Sequence, residues 1–249
     1  IYLATNEHLR AATVVETKND RFIKTCREQY PLHHYERLAP LMHQLRMFKD
    51  AKEVAMLQKA IDITEAGFRR VLPFIKPGVG EWEIEAEYMH EFLRRRSRGF
   101  AYPPIIGSGK NACVLHYVEN HSVCEDGDLV LMDVAAEWGN WNADMTRTVP
   151  VNGRFTDRQK DVYNAVLRVF RGSCDILRPG VTPLEWRKQT VELMEAELIQ
   201  LGLIDAQEAK DQDPEEKPLV KKYYMHGIGH HLGLDVHDVH PPHHVVQPG

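Results

Sequence analysis

Two aspartates, Asp133 and Asp144, stand eleven residues apart in a stretch otherwise rich in apolar and aromatic side chains. Residues 129–134 are apolar and β-prone, 138–140 form a polar, Gly-containing break, and 141–149 read as a second strand. A hairpin with Trp138-Gly139 as its two-residue loop sets Asp133 opposite Asp144; a loop centred one residue later is equally compatible. Directly opposed residues on one face have Cβ atoms roughly 4.5–5.5 Å apart. Carboxylates that close repel unless a proton or a cation lies between them. A pair of divalent ions, about 3.5–4 Å apart in two-metal sites, is one arrangement that removes the repulsion. The bland alternative is a solvated hairpin carrying two unrelated surface acids.

A second constellation runs from His226 to Asp238, with His230, His231 and His237 interleaved with Gly227, Gly229 and Gly233. Each glycine costs roughly 1 kcal/mol against alanine inside a helix, so a loop is expected rather than a helical zinc motif. Glycine also lets backbone approach a ligand closely. Imidazole joins carboxylates in zinc, manganese and cobalt sites, whereas the bland reading is a Gly-rich loop with one satisfied structural histidine. Most of the fourteen histidines carry no such context. His33, His34, His43, His90 and His121 read as surface or helix-face residues, and His240, His243 and His244 sit in a Pro-rich tail suited to weak, adventitious metal binding.

The elements that must position these groups repeat. A helix opens at Asp50 with Glu53 as its capping partner and carries Val54, Leu57, Ile61, Thr64, Phe68 and Val71 at helical spacing. Pro73 and Pro77-Gly78 end it. Residues 75–79 (Ile-Lys-Pro-Gly-Val) then lead through Glu83 into a helix to about Arg96. At an offset of 102 residues, 177–181 (Leu-Arg-Pro-Gly-Val) leads through Glu185 into a helix to about Gly202, preceded by one opening at Thr156 with Gln159. A strand-like segment containing histidine follows each helix pair, at 105–118 and 219–237. Two αβ halves converging on one site is the simplest reading; a chance repeat of a common helix stop is the other. Residues 205–217 read as an acidic, solvated loop, and 1–45 as the tail of an upstream domain plus a linker.

Composition narrows the function classes. An apolar fraction of 43% and a charged fraction of 27% build an ordinary globular core. A net charge of −5 without a long basic block argues against nucleic acid as main partner, and no apolar run approaches the ~20 residues that cross a bilayer. Glu7, His8 and Arg10 interrupt any secretory pattern near the start. Cys26, Cys113, Cys124 and Cys174 have no C-x-x-C spacing, which predicts buried free thiols in a reducing compartment, hence a cytoplasmic protein, with disulfides as the alternative. Starting without Met and stopping at Pro248-Gly249, the chain reads as a piece of something longer.

Together these residues resemble the metal-dependent peptidases of the pita-bread (creatinase/aminopeptidase-like) fold, which include methionine aminopeptidase, proline dipeptidase and Xaa-Pro aminopeptidase. The matching blocks are 107–117 (Gly-Ser-Gly-Lys-Asn through Leu-His-Tyr), 128–133 with 144–148 (Asp-Met-Thr-Arg-Thr), and 225–238 (Met-His-Gly-Ile-Gly-His through Val-His-Asp). They occur in the family's order and span residues 46–249, with 100–106 and 149–153 most like the Xaa-Pro aminopeptidase branch. The resemblance implies an α+β fold with two pseudo-symmetric αβ halves, a curved antiparallel sheet, and a C-terminal truncation. It implies two divalent metal ions, manganese favoured and cobalt or zinc compatible, held by Asp133, Asp144 and His230. Asp144 would bridge the ions. Two further glutamate ligands are expected beyond Gly249, so the isolated piece is expected to bind metal weakly and turn over little or nothing. His116, His226 and His237 match the family's substrate-binding and supporting histidines, with His237 at the carbonyl or oxyanion and His116 on the leaving-group side. Asp133 can also face a substrate's free amino group. The implied activity is attack by a metal-bridging hydroxide that removes the first residue from peptides with proline second. Tyr102 and Trp138 are candidate walls for the proline ring. Proline dipeptidase and a non-catalytic peptide-binding relative are the alternatives, and a homo-oligomer is compatible with any of the three.

Overall fold

The computed structural model describes residues 1–5, 15–213, 218–240 and 245–247, which places His243, His244 and Pro248-Gly249 outside the described residues. The chain divides into two compact units, residues 1–49 and 50–249. In the first, strands β1 (Tyr2–Leu3) and β2 (Glu36–Arg37) pair in parallel. Helix α1 (Lys18–Gln29) starts at a Thr17/Asp20 capping box, and α2 (Ala39–Met47) follows β2. These helices occupy a stretch whose sequence shows no clear amphipathic period.

The second unit is built from helix pairs and an antiparallel sheet. Helix α3 (Ala51–Val71) begins at Asp50, whose carboxylate accepts from the backbone N–H groups of Lys52 and Glu53 while Glu53 accepts from Asp50 N–H. Its buried face is Ala60, Ile63, Thr64, Gly67 and Val71, whereas Val54 and Ile61 are exposed. The expected stripe is therefore rotated toward smaller residues. A Cβ on Gly67 would stand 2.6 Å from the Phe92 ring, so the missing side chain is what lets α3 lie against α4 (Glu81–Arg94).

Strand β3 (Ile105–Ser108) pairs antiparallel with β4 (Leu129–Asp133), which pairs antiparallel with β7 (Thr146–Pro150). Between β4 and β7 the hairpin continues through β5 (Glu137–Trp138) and β6 (Trp141–Asn142). Ile63, Val71, Ile84, Phe92, Ile106, Val130 and Met132 pack between the α3/α4 pair and the sheet. The second helix pair is α5 (Asp157–Ile176) and α6 (Pro183–Gln200). They open at Thr156/Gln159 and Thr182/Glu185 capping boxes.

Four expectations need correction. Of the free thiols only Cys124 is buried; Cys26 is half-buried, and Cys113 and Cys174 are exposed. Residues 205–217 do not form a plain loop: α7 (Ala206–Asp211) lies there, capped by Asp205. Residues 105–118 are strand only as far as Ser108, then turn through a 3-10 segment, Gly109–Cys113. Residues 219–237 form no strand; a 3-10 turn, Leu219–Lys222, leads into an irregular loop. A strand needs a neighbour to satisfy its backbone, and among the described residues none lies beside this one.

Candidate metal centre

The hairpin turn sets the position of both aspartates. Trp138 pairs with Trp141, so the loop is Gly139-Asn140, one residue later than the Trp138-Gly139 expectation. Both loop residues have positive φ, 59° and 71°, as a type I′ hairpin turn requires. Asp133 therefore faces Thr146 rather than Asp144. Asp144 lies across from the 134–136 stretch, where Val134 N–H donates to Met145 O and Ala143 N–H to Ala136 O. The register moves by an even number of positions, so the two acids stay on the same face, as diagonal neighbours.

They remain close enough to share a donor. The Tyr102 hydroxyl lies 2.6 Å from Asp133 Oδ1 and 3.1 Å from Asp144 Oδ1. Burial pushes the Asp133 carboxyl above its ordinary range, and the Asp144 charge adds to this; the Tyr102 hydrogen bond and nearby His116 act against it. Burial and the same carboxylates push the Tyr102 phenol strongly upward, so it stays a donor.

The histidine loop is tied to this hairpin by Asn142. Its backbone N–H donates to Gly233 O at 3.0 Å, and its side-chain amide donates to Leu234 O at 2.8 Å. The clamp brings His230 Nε2 to 3.0 Å from Asp144 Oδ2, while His230 Nδ1 meets His231 O at 2.8 Å. The Asp144 hydrogen bond raises the His230 pKa; burial opposes it. The His237 ring sits 4.1 Å from the His230 ring, centre to centre. His116 is exposed, holds a positive φ of 56°, and reaches Asp133 electrostatically. His226 packs edge-on against Tyr224 at 5.5 Å, and no hydrogen bond or ion pair among the described residues links it to Asp133, Asp144 or His230.

As donors, two carboxylates and an imidazole suit a divalent ion. An acid pair with only one phenol proton between its members, Asp133 half-buried and Asp144 exposed, is short of positive charge. In kind and adjacency the set fits. In spacing it is drawn together: the Tyr102 hydroxyl and the His230–Asp144 contact take up its donor atoms. Among the described residues no group of three or more His, Cys, Asp or Glu is spaced to hold an ion.

Several positioning residues escape sequence reasoning. Tyr102, expected as a wall of a proline pocket, spans the two acids. Trp138 packs against the buried core, with the Lys59 ammonium over its ring. Asn142 and Glu81, which holds the loop before His116, carry no motif that singles them out.

The chain belongs to metallopeptidase family M24, whose sequence model matches residues 55–249. It is 37% identical over 243 residues to the Xaa-Pro aminopeptidase of Escherichia coli K12, covering 96% of this chain and 54% of that protein. Against the Haemophilus influenzae Xaa-Pro aminopeptidase it is 37% identical over 201 residues, covering 80% and 46%. Zn-substituted E. coli aminopeptidase P in complex with product superposes with a TM-score of 0.87 at 33% identity, over 100% of this chain and 57% of that one. The fold is thus the pita-bread fold. The chain spans about half the length of the curated relatives it matches.

Proposed function

We propose that residues 46–249 belong to a metal-dependent exopeptidase that removes the first residue from peptides with proline in second position. One observation carries the reading: Asp133, Asp144 and His230, from two separate sequence blocks, lie around a single phenol and ion-pair cluster. The family membership and the Xaa-Pro aminopeptidase relatives support the same conclusion.

Asp133, Asp144 and His230 would hold two divalent ions, manganese favoured by the carboxylates and cobalt or zinc compatible. When bound, the ions act as Lewis acids and make water acidic enough to attack near neutral pH. The chain's own groups do the rest. Asp133, at the end of β4, receives the substrate's free α-amino group, which restricts cleavage to the first bond. His237, beside His230, donates to the carbonyl oxygen as negative charge develops there. His116, on the loop after β3, delivers a proton toward the leaving nitrogen, a general-acid task suited to an imidazole. His226 supports the loop from beside Tyr224. The Xaa-Pro bond is a tertiary amide with a fixed ring and no N–H, so a site that binds the amino group and the carbonyl oxygen has no need of that missing donor. The partner is a peptide, the location the cytoplasm, and a homo-oligomer is compatible. A net charge of −5 disfavours nucleic acid, and among the described residues no helix is long and apolar enough to cross a membrane.

The test uses the full-length protein with Mn²⁺. It should release the first residue from a Xaa-Pro-Xaa tripeptide, and Asp144→Asn should reduce turnover to background. Cleavage confined to Xaa-Pro dipeptides would make it a proline dipeptidase. Absence of both cleavage and metal binding would leave a peptide-binding relative.

A further inference from the structure

The loop that carries His116 is closed by one carboxylate. Glu81, the first residue of α4, has no exposed surface. Its Oε1 accepts from Ser108 N–H at 2.7 Å, Ser108 Oγ at 2.7 Å and Asn111 Nδ2 at 3.3 Å. Its Oε2 accepts from the Tyr117 hydroxyl at 2.8 Å and Ser122 N–H at 2.9 Å. Ser108 ends β3 and Ser122 lies beyond the loop, so a single side chain joins the loop's two ends and its middle. One turn on, Glu85 accepts from Asn120 Nδ2 at 2.8 Å, while Asn120 Oδ1 accepts from Ile106 N–H at 2.9 Å. Within this frame His116 and Asn120 hold positive φ values of 56° and 45°. Positive φ is uncommon outside glycine, though histidine and asparagine adopt it more readily than most, and the frame holds both turns in place.

Burial of a carboxylate is unfavourable. Here burial pushes Glu81 up, yet the donors from Ser108, Ser122 and Tyr117 outweigh it and leave the acid below its ordinary range. An ordinary surface loop needs no such device. What distinguishes this one is that it carries His116, whose charge acts on Asp133 of the neighbouring strand β4.

We propose that Glu81 is a positioning residue: its carboxylate clasps Ser108 to Ser122 and Tyr117, and so fixes the left-handed turn that carries the His116 imidazole. It touches no reacting group and acts only through the loop. The proposal rests on the peptidase reading for its effect on turnover, but the clasp itself does not. A glutamine cannot replace it. Its NH₂, placed at the Oε1 position, meets Ser108 N–H; placed at Oε2, it meets Ser122 N–H. Either way a donor faces a backbone donor that cannot turn round.

The experiment is a double-mutant cycle in the full-length protein with Mn²⁺, using Glu81→Gln, Tyr117→Phe and His116→Ala. Glu81→Gln should lower kcat about 10–100-fold, since small misplacements of a reacting group cost up to roughly 10²-fold, with KM much less changed. Added to His116→Ala it should cost nothing further. Tyr117→Phe, which removes one donor of five, should show the same pattern at smaller size and decides the matter if Glu81→Gln does not fold. Wild-type kcat in the folded variants, or an undiminished loss on top of His116→Ala, overturns the proposal. A second readout needs no activity: amide exchange across residues 109–121 should speed up in Glu81→Gln while α3 stays protected, and uniform loosening of both overturns it. Should the wild-type protein cleave no Xaa-Pro peptide, the peptidase reading fails, and the exchange arm still decides the clasp.

Discussion

A phenol has one proton to give, and Tyr102 faces two carboxylates with it, Asp133 at 2.6 Å and Asp144 at 3.1 Å. The nearer acid takes the hydrogen bond, and the second is left facing an oxygen lone pair and the His230 ring. This makes Tyr102 most valuable when no cation is bound. Tyr102→Phe should destabilise the metal-free protein by about 1 kcal/mol, the ordinary worth of such a hydrogen bond. The loss should shrink when Mn²⁺ supplies the missing positive charge; thermal unfolding with and without the ion reads both, and an equal loss in each condition would sink the idea. The acids and His230 were legible in the sequence because carboxylates stand out in an apolar hairpin and glycines frame the histidine. Tyr102 and Asn142 were not, since nothing in a tyrosine or an asparagine announces its partner. Glu81 left one faint trace. In Glu81-Trp82-Glu83, capping of α4 explains Glu83, which accepts from Gly80 N–H, and leaves Glu81 without a local task.

At the scale of elements, the hairpin between β4 and β7 is where turn chemistry outweighs strand pattern. Either two-residue loop satisfies the apolar spacing, but Gly139-Asn140 offers the two residue types that tolerate positive φ, and Trp138 does not. The register follows from that choice. Gly139→Val would place a β-branched residue at a φ of 59° and a Cβ 2.5 Å from the Met56 methyl. The methyl is the end of a flexible chain and can move, while the backbone strain cannot. A loss of about 1–2 kcal/mol follows from the left-handed conformation alone, to be measured by denaturant unfolding; a variant as stable as the parent would show that the turn does not set the register. The α3 stripe was misjudged for a related reason. Of the expected stripe Thr64 and Val71 are buried, whereas Val54 and Ile61 are exposed, because the close approach of α4 selects Ala60 and Gly67 in their place. Thr64 explains part of this choice: its hydroxyl donates to Ala60 O at 2.8 Å and accepts from Ala136 N–H at 2.9 Å, which ties α3 to the hairpin.

Across residues 50–249 the 102-residue echo corresponds to two helix pairs, α3 with α4 and α5 with α6, and here the sequence was most readable because capping boxes mark three of the four starts. The strand expected after the second pair does not form, because strand propensity alone supplies no pairing partner. Three buried glutamates of this unit share one electrostatic arrangement. Glu81, Glu91 and Glu137, all in its earlier part, are each pushed up by burial and then brought below the ordinary range by donors: Ser108, Ser122 and Tyr117 for the first, Arg95, Arg94 and Arg70 for the second, Arg98 and Asn140 N–H for the third. A carboxyl whose pKa is lower folded than unfolded contributes stability above its unfolded value, and that contribution is lost as pH falls through the folded value. Asp133 works in the other direction: raised by burial, its contribution is present in acid and lost as pH rises through the folded value. Asp20, Glu185, Glu197 and Asp205 are lowered as well, so the lowered acids outnumber Asp133 and the balance is a net loss in acid. The midpoint of thermal unfolding of the metal-free protein should therefore hold steady down to about pH 5 and fall steeply toward about pH 3. Glu81→Gln should start lower and fall less, because one of the lowered acids is gone. A flat profile for the parent, or parallel profiles for parent and variant, would mean that these buried acids do not carry the acid sensitivity of the fold.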